Sequence, residues 1–275
     1  MYKRIISRLD IKNGILVKGI QLEGLRNLGD PSYFANQYYN DQIDEICFQD
    51  VVATLYNKNL ISGIIEKCSE NIFVNIAAGG GIRKIEDADT LLRIGVDKIC
   101  INSEGVRDNN FLKELVNKYG SSTIAVNIDT IFNGNFYEVL IETGREKTNL
   151  KLESWVEKLD ILNVGEIVLT EISREGTEKG FNIELYKKIS KLTNIPVIAH
   201  GGAGNNEQIL ELFQATNVSG VSIATLFHYN YIKEDNESKM TGTNYFLKNK
   251  KKVEEKNKIK NLKKFLLKNN VNVRF

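Results

Sequence analysis

Ala77-Ala78-Gly79-Gly80-Gly81 and, 122 residues further on, Ala199-His200-Gly201-Gly202-Ala203 share one pattern: an apolar run that ends in consecutive glycines. Three other pairs keep nearly the same spacing. Asp44-Glu45-Ile46 matches Gly165-Glu166-Ile167 at an offset of 121, Leu9-Asp10-Ile11 matches Ile128-Asp129-Thr130 at 119, and Ile101-Asn102-Ser103 matches Ile223-Ala224-Thr225 at 122. Repeats at a constant offset report architecture. These divide the chain into two similar halves, 1–120 and 121–275 in round terms.

Outward from these anchors, short β-branched runs alternate with helical patterns. The runs predict strands at 4–9, 44–50, 72–78, 96–102, 122–128, 165–170, 196–200 and 219–224. Apolar periodicity predicts helices at 32–41, 58–69, 85–95, 108–118, 151–163, 183–193 and 206–214. A last helix falls at 258–269, where Ile259, Leu262, Phe265 and Leu266 share one face. Eight strands each followed by a helix give a parallel sheet, and eight such units can close into a (β/α)8 TIM barrel. An open doubly wound sheet is the alternative for such alternation. The four-strand repeat favours two stacked (βα)4 halves. The chain is read as one barrel domain over 1–275, with a polar Lys-rich insertion at 231–257 taken as a solvated surface arm.

The 275 residues suit one large domain, and 42% hydrophobic content supports a sizeable core. With 37 basic and 35 acidic residues the net charge is +2, so no global field favours nucleic acid. Cys47, Cys68 and Cys100 lack C-x-x-C spacing; the two in strand-like runs, Cys47 and Cys100, read as buried, inert thiols, and the lack of a disulfide framework fits a cytosolic protein. No apolar run is long enough for a membrane span, and the N-terminal apolar stretch is too short for a signal peptide.

Glycines after a strand let the backbone approach a ligand and turn N–H groups toward an anion. Gly79-Gly80-Gly81 and Gly201-Gly202 are therefore candidate phosphate loops, with Asn102 and Ser103 as donors after strand 4 and Ala224 and Thr225 at the matching place. One glycine loop would read as a tight turn. Two at duplicated positions imply two phosphates at opposite ends of one elongated, bis-phosphorylated small molecule. Asp10 and Asp129 end strands 1 and 5, so each faces the barrel mouth, and two facing carboxylates can divide general acid and base roles. The competing reading is a carboxylate that caps a loop or pairs with Arg8 or Lys18.

These segments, with Lys3-Arg4-Ile5-Ile6, Leu9-Asp10-Ile11-Lys12-Asn13-Gly14, Val17-Lys18-Gly19, Gly29-Asp30-Pro31, Ala78-Gly79-Gly80-Gly81-Ile82-Arg83, Arg174-Glu175-Gly176-Thr177 and Phe227-His228-Tyr229, resemble the cyclase-subunit (HisF) family of imidazole glycerol phosphate synthase. The resemblance runs over residues 3–230 and returns in the final helix. The sister isomerase of histidine biosynthesis shares the half-repeat but lacks this Leu-Asp-x-Lys-x-Gly start. The resemblance implies a lyase that takes ammonia from a separate glutaminase (HisH-like) subunit. The barrel would convert the ribulosyl-formimino aminoimidazole carboxamide ribotide to imidazole glycerol phosphate and aminoimidazole carboxamide ribotide. It implies Asp10 and Asp129 as catalytic residues. Lys18, Gly80, Gly81, Asn102, Ser103, Thr170, Gly176, Gly201, Gly202, Ala224 and Thr225 become substrate or phosphate contacts. No organic cofactor or metal is implied, and His200 and His228 read as local hydrogen-bonding residues.

Arg4, Glu45, Lys98 and Glu166 start strands 1, 2, 4 and 6. The resemblance implies that they ring an ammonia gate on the N-terminal face, where the glutaminase docks. The chain also departs from the family. Arg8 stands where these cyclases usually have cysteine, Glu175 and Asn182 where they have aspartate, and His200 where they have serine. Two other readings stay open: an ammonia-using subunit for amidation of a nucleotide sugar or surface-glycan precursor, and a silent barrel that only activates a glutaminase.

Overall fold

In a strand, successive side chains point to opposite faces. The strand Arg4–Lys12 (β1) uses this alternation fully: Ile5, Leu9 and Ile11 belong to the main core, while Ile6 belongs to a separate, smaller cluster. Both faces of this strand are therefore buried, as a barrel wall requires. The computed structural model, which describes residues 2–52, 61–232 and 258–275, closes that barrel. β1 pairs in parallel with β4 (Glu45–Asp50) on one side and with β12 (Gly220–Ile223) on the other. The circle runs on from β4 through β5 (Asn75–Gly79), β6 (Lys98–Ile101), β7 (Ile124–Phe132), β10 (Glu166–Glu171) and β11 (Val197–His200) to β12. The expected (β/α)8 architecture is present, and the open-sheet alternative is excluded by the β1–β12 pairing.

The covering helices are α1 (Pro31–Asn40), α2 (Ser62–Ser69), α3 (Ile85–Arg93), α5 (Asn109–Tyr119), α6 (Leu152–Leu162), α7 (Ile183–Leu192), α8 (Asn206–Ala215) and α10 (Ile259–Lys268). Local signals set their ends. Asp30 caps α1 by accepting from Ser32 N at 2.9 Å, with Pro31 at the first helical position. Asp108 caps α5 in the same way, and Asn163 ends α6 in the left-handed conformation. Residues 58–60 of the helix expected at 58–69, and all but residues 231 and 232 of the expected insertion, lie outside the described residues.

Two hairpins were not expected. β2 (Ile15–Ile20) and β3 (Glu23–Gly29) fold back on β1, and β8 (Tyr137–Ile141) and β9 (Glu146–Lys151) fold back on β7. They occupy equivalent places in the two halves. Each turn begins with an Asn-Gly pair, Asn13-Gly14 and Asn133-Gly134. Asn13 and Gly14 have φ of 51° and 78°, as a tight hairpin turn demands. Two short helices, α4 (Ser103–Arg107) and α9 (Thr225–His228), follow β6 and β12, again in matching positions.

Even-numbered residues of β1 and their counterparts on the other strands fill the barrel in layers. Arg4, Glu45, Lys98 and Glu166 form the floor. Above them lies a layer of mostly small side chains: Ile6, Cys47, Ala77, Cys100, Ala125, Val168 and Ile198. The polar layers above that lead to the mouth. Wall and helices approach closely: a Cβ on Gly165 would lie 2.1 Å from the Ser121 carbonyl oxygen, whereas one on Gly63 in α2 meets nothing within 4 Å. Gly165→Ala is therefore expected to cost about 1–3 kcal/mol by overpacking. Gly63→Ala should stabilise by up to about 1 kcal/mol, through helix propensity. Urea unfolding checks both, and an unchanged Gly165→Ala midpoint would contradict the register described.

Candidate active site

Asp10 and Asp129 project from equivalent places near the C-terminal ends of β1 and β7, and both are buried. Their surroundings differ. Asp10 Oδ1 accepts from Arg8 Nε at 2.8 Å, two residues earlier on the same face of the strand. Burial alone would raise the Asp10 pKa, but Arg8 first and then Lys18 outweigh it and hold the carboxyl below its ordinary range. Asp129 Oδ2 accepts from Asn102 Nδ2 at 2.9 Å, and its Oδ1 has no hydrogen-bond partner among the described residues. Burial pushes the Asp129 carboxyl above its ordinary value despite Arg8 and Asn102. The expectation that Asp10 either faces the mouth or pairs with a neighbouring cation thus resolves into both at once.

Two cavities flank this pair. The first is lined by Gly80, Gly81, Asn102 and Ser103, with Arg83 and Thr143 at its edge. The second is lined by Gly176, Gly201, Gly202, Ala224 and Thr225, with Glu175 and His200. Each lies at the start of one of the short helices, whose first N–H groups have no partner within the helix. The sequence-predicted groups therefore assemble as two matching cradles. Thr170 belongs to neither: it is the ladder neighbour of Asp129.

Lys18, expected to contact a phosphate, lies on strand β2 of a hairpin, and its amine is not free. It is buried and ion-paired with Glu175, whose Oε2 also accepts from Leu22 N at 3.0 Å. A buried ammonium needs such a counter-ion. The glycines of the cradles are also required by the protein's own backbone. A Cβ on Gly80, at φ 107°, would lie 2.2 Å from the Asp50 carbonyl oxygen, and one on Gly202, at φ 110°, 2.2 Å from that of Gly180. Substitution there strains the protein's own backbone before it reaches any ligand. Beside the second cradle, His200 makes the local hydrogen bond expected of it. His200 Nδ1 donates to the Ser222 carbonyl at 2.8 Å, so its buried Nε2 keeps a lone pair with no partner among the described residues. Burial, followed by Arg8, pushes the His200 pKa down to about 3. His228 also fits the local reading: its Nδ1 bonds the Tyr38 hydroxyl.

At the opposite end the four strand-start charges meet in one ring. Lys98 Nζ lies 3.1 Å from Glu45 Oε2 and 2.9 Å from Glu166 Oε1. Arg4 Nη1 lies 3.0 Å from Glu45 Oε2, and Arg4 Nη2 closes the ring on Glu166. Burial opposes charge on Lys98, yet Glu45 and Glu166 overcome it and raise its pKa. Sequence reasoning did not find the interior bond from Asn127 Nδ2 to Gln49 Oε1, 3.0 Å long. The inward positions of both residues follow from strand alternation, but their pairing across the barrel does not.

A closed parallel barrel with facing carboxylates between paired glycine cradles, all at the C-terminal ends of the strands, is the layout of a TIM-barrel enzyme. Residues 4–233 match the histidine biosynthesis protein family. The chain is 40% identical over 227 residues to the imidazole glycerol phosphate synthase subunit HisF of Pyrococcus furiosus, covering 82% of this chain and 90% of that protein. It is 42% identical over 207 residues to the HisF subunit of Legionella pneumophila, 74% of this chain and 97% of that one. For the HisF subunit of Hydrogenobaculum sp. the figures are 40% over 244 residues, 85% and 97%. The chain belongs to the histidine biosynthesis protein family and, within it, to the HisF group of imidazole glycerol phosphate synthase subunits.

The floor ring generates a test. Lys98→Met removes a cation from two buried carboxylates and is expected to cost about 3–5 kcal/mol. Adding Glu45→Gln should recover part of that loss, because one uncompensated anion is then removed. Unfolding curves of the single and double variants read the coupling, and strict additivity would show that the ring is not an energetic unit.

Proposed function

We propose that this chain is the cyclase of an imidazole glycerol phosphate synthase. It would use ammonia to convert the ribulosyl-formimino aminoimidazole carboxamide ribotide to imidazole glycerol phosphate and aminoimidazole carboxamide ribotide. The observation that carries this reading is the placement of Asp10 and Asp129 between two equivalent cradles. A substrate with a phosphate at each end fits that symmetry, since its reacting centre then lies between the carboxylates. Gly80, Gly81, Asn102 and Ser103 would hold one phosphate, and Gly176, Gly201, Gly202, Ala224 and Thr225 the other. The ammonia nitrogen would form two carbon bonds in turn: it condenses with the ribulosyl ketone, whose oxygen leaves as water, and then attacks the formimino carbon, which releases aminoimidazole carboxamide ribotide. One carboxylate accepts a proton from the attacking nitrogen, and the other delivers one to the departing group. Lys18 would reach a phosphate only by exchanging Glu175 for it.

Ammonia would enter through the floor. The ring of Arg4, Glu45, Lys98 and Glu166 lies beneath a small-residue layer that leads upward to the site, which suits a gate for a small neutral molecule. Exposed Tyr2, Phe73, Ile161 and Phe275 surround the same end. Tyr2 and Phe73 lie just before β1 and β5, Ile161 lies at the end of α6, and Phe275 follows Val273, which bridges to Lys3. Such an apolar rim around a gate fits a docking glutaminase subunit.

A second reading has its own support. Arg8 paired to Asp10, Glu175 paired to Lys18, and the free Nε2 of His200 alter the mouth, while the floor ring is intact. That combination favours delivery of ammonia to a different acceptor, such as a nucleotide-sugar or glycan precursor.

Purified chain is expected to consume the ribotide with ammonium salt and not with glutamine alone. Turnover of the precursor sugar but not of the ribotide would decide for the second reading, and turnover of neither would favour a silent barrel. Asp10→Asn and Asp129→Asn should each lower kcat by about 10²–10⁴-fold with a much smaller change in KM, provided that melting curves show folded protein. A near-wild-type kcat in folded Asp10→Asn would sink the cyclase mechanism. For the rim, Phe73→Asp and Ile161→Asp should leave ammonium-driven turnover intact and reduce glutamine-driven turnover with the glutaminase. Equal rates with both nitrogen sources would move the docking face elsewhere.

A further inference from the structure

The two halves of the barrel place a carboxylate at the same position but not the same residue beneath it. The offset of 119 that relates Asp10 to Asp129 also relates Arg8 to Asn127. Both point inward, one step below the mouth. Asn127 turns away from its carboxylate and donates to Gln49, whereas Arg8 donates to Asp10 at 2.8 Å. A symmetric site has thus acquired one cation on one side only.

We propose that Arg8 is a positioning residue that divides the acid–base work of the mouth, holding Asp10 as the fixed proton acceptor and leaving Asp129 as the proton donor. This rests on the cyclase reading of the carboxylate pair. In each turnover Asp10 gains the proton that Asp129 loses, and exchange with solvent resets the pair.

The groups that face Asp10 leave Arg8 as the decisive one. Lys18 on β2 also lowers the Asp10 pKa, but less than Arg8 does; it is not bonded to Asp10 and is itself ion-paired with Glu175. His200 on β11 and His228 on α9 are uncharged, burial having pushed both down to about 3. Asp129 on β7 is the other acid in the mouth, and the Asp10 anion disfavours a second negative charge there. Arg8 is buried with Asp10, so water does not screen the pair. Arg8 also feels Asp129, but without a direct bond to it, so its influence on the two carboxylates is unequal.

The test is a titration of folded, substrate-free protein carrying carbon-13 in its aspartate carboxyls, with Asp10→Asn and Asp129→Asn used to assign the two resonances. In the wild type, Asp129 should take up its proton at higher pH than Asp10. In Arg8→Gln the Asp10 midpoint should rise by about 1–3 pH units, the range of an adjacent opposite charge, and Arg8→Lys should restore most of the difference. If Arg8→Gln does not fold, Arg8→Met supplies the same comparison with an apolar chain of similar length. An Asp10 midpoint unchanged on loss of the guanidinium would overturn the proposal. In parallel, the acid limb of ammonium-driven kcat should move to higher pH in Arg8→Gln, because a base with a raised pKa is lost earlier on acidification. A purely structural Arg8 would lower the melting temperature and leave that limb in place. Should the chain turn over no ribotide, the cyclase reading fails, while the carbon-13 titration still decides what Arg8 does to Asp10.

Discussion

Every second residue of eight strands must point into one narrow interior, and the rest of this structure follows from how the sequence meets that constraint. The inner face of β1 reads Arg4, Ile6, Arg8, Asp10 from floor to mouth. The small layer above the floor exists because seven inward side chains meet at one level, where Ala77 and Ala125 leave room for Ile6 and Ile198. Polar groups are confined to levels where partners are available. This stratification separates an ionic floor from a reactive mouth without any separate domain to do so.

The buried charges show the balance that such an interior imposes. Each ion taken from water loses several kcal/mol of hydration, which only close pairing can offset. Glu45 and Glu166 each touch both Arg4 and Lys98, Asp10 touches Arg8, and Glu175 touches Lys18. Asp129 differs from these: it accepts from a neutral amide, Asn102, and its other oxygen has no hydrogen-bond partner among the described residues. An anion kept in this condition is disfavoured, which suits a group that must hold a proton and release it.

How much of this was legible in the sequence depended on range. Strand positions, the glycine cradles and the carboxylates could be read because each is a local signal and the repeat supplied every one twice. The four floor charges could be placed because strand starts share one end of a barrel. The hairpins carry a local signal in Asn13-Gly14 and Asn133-Gly134, but a barrel pattern of one helix after each strand has no place for them. The Lys18–Glu175 pair joins residues 157 positions apart through side chains, and no periodicity predicts such a contact. The Arg8–Asp10 bond lies between these cases. Period-two alternation puts both residues on one face, but their bonding depends on rotamers that the sequence does not specify.

The floor ring alternates cation and anion around its circuit, Arg4, Glu45, Lys98, Glu166, and so sums to zero. Neutrality shared among four positions makes them inheritable only as a set. A drifting lineage cannot exchange one of these residues for a neutral one without stranding two neighbours. Its accessible routes are paired replacements. Among relatives, the identities at these four positions should therefore vary together, far more than with the residues of the mouth.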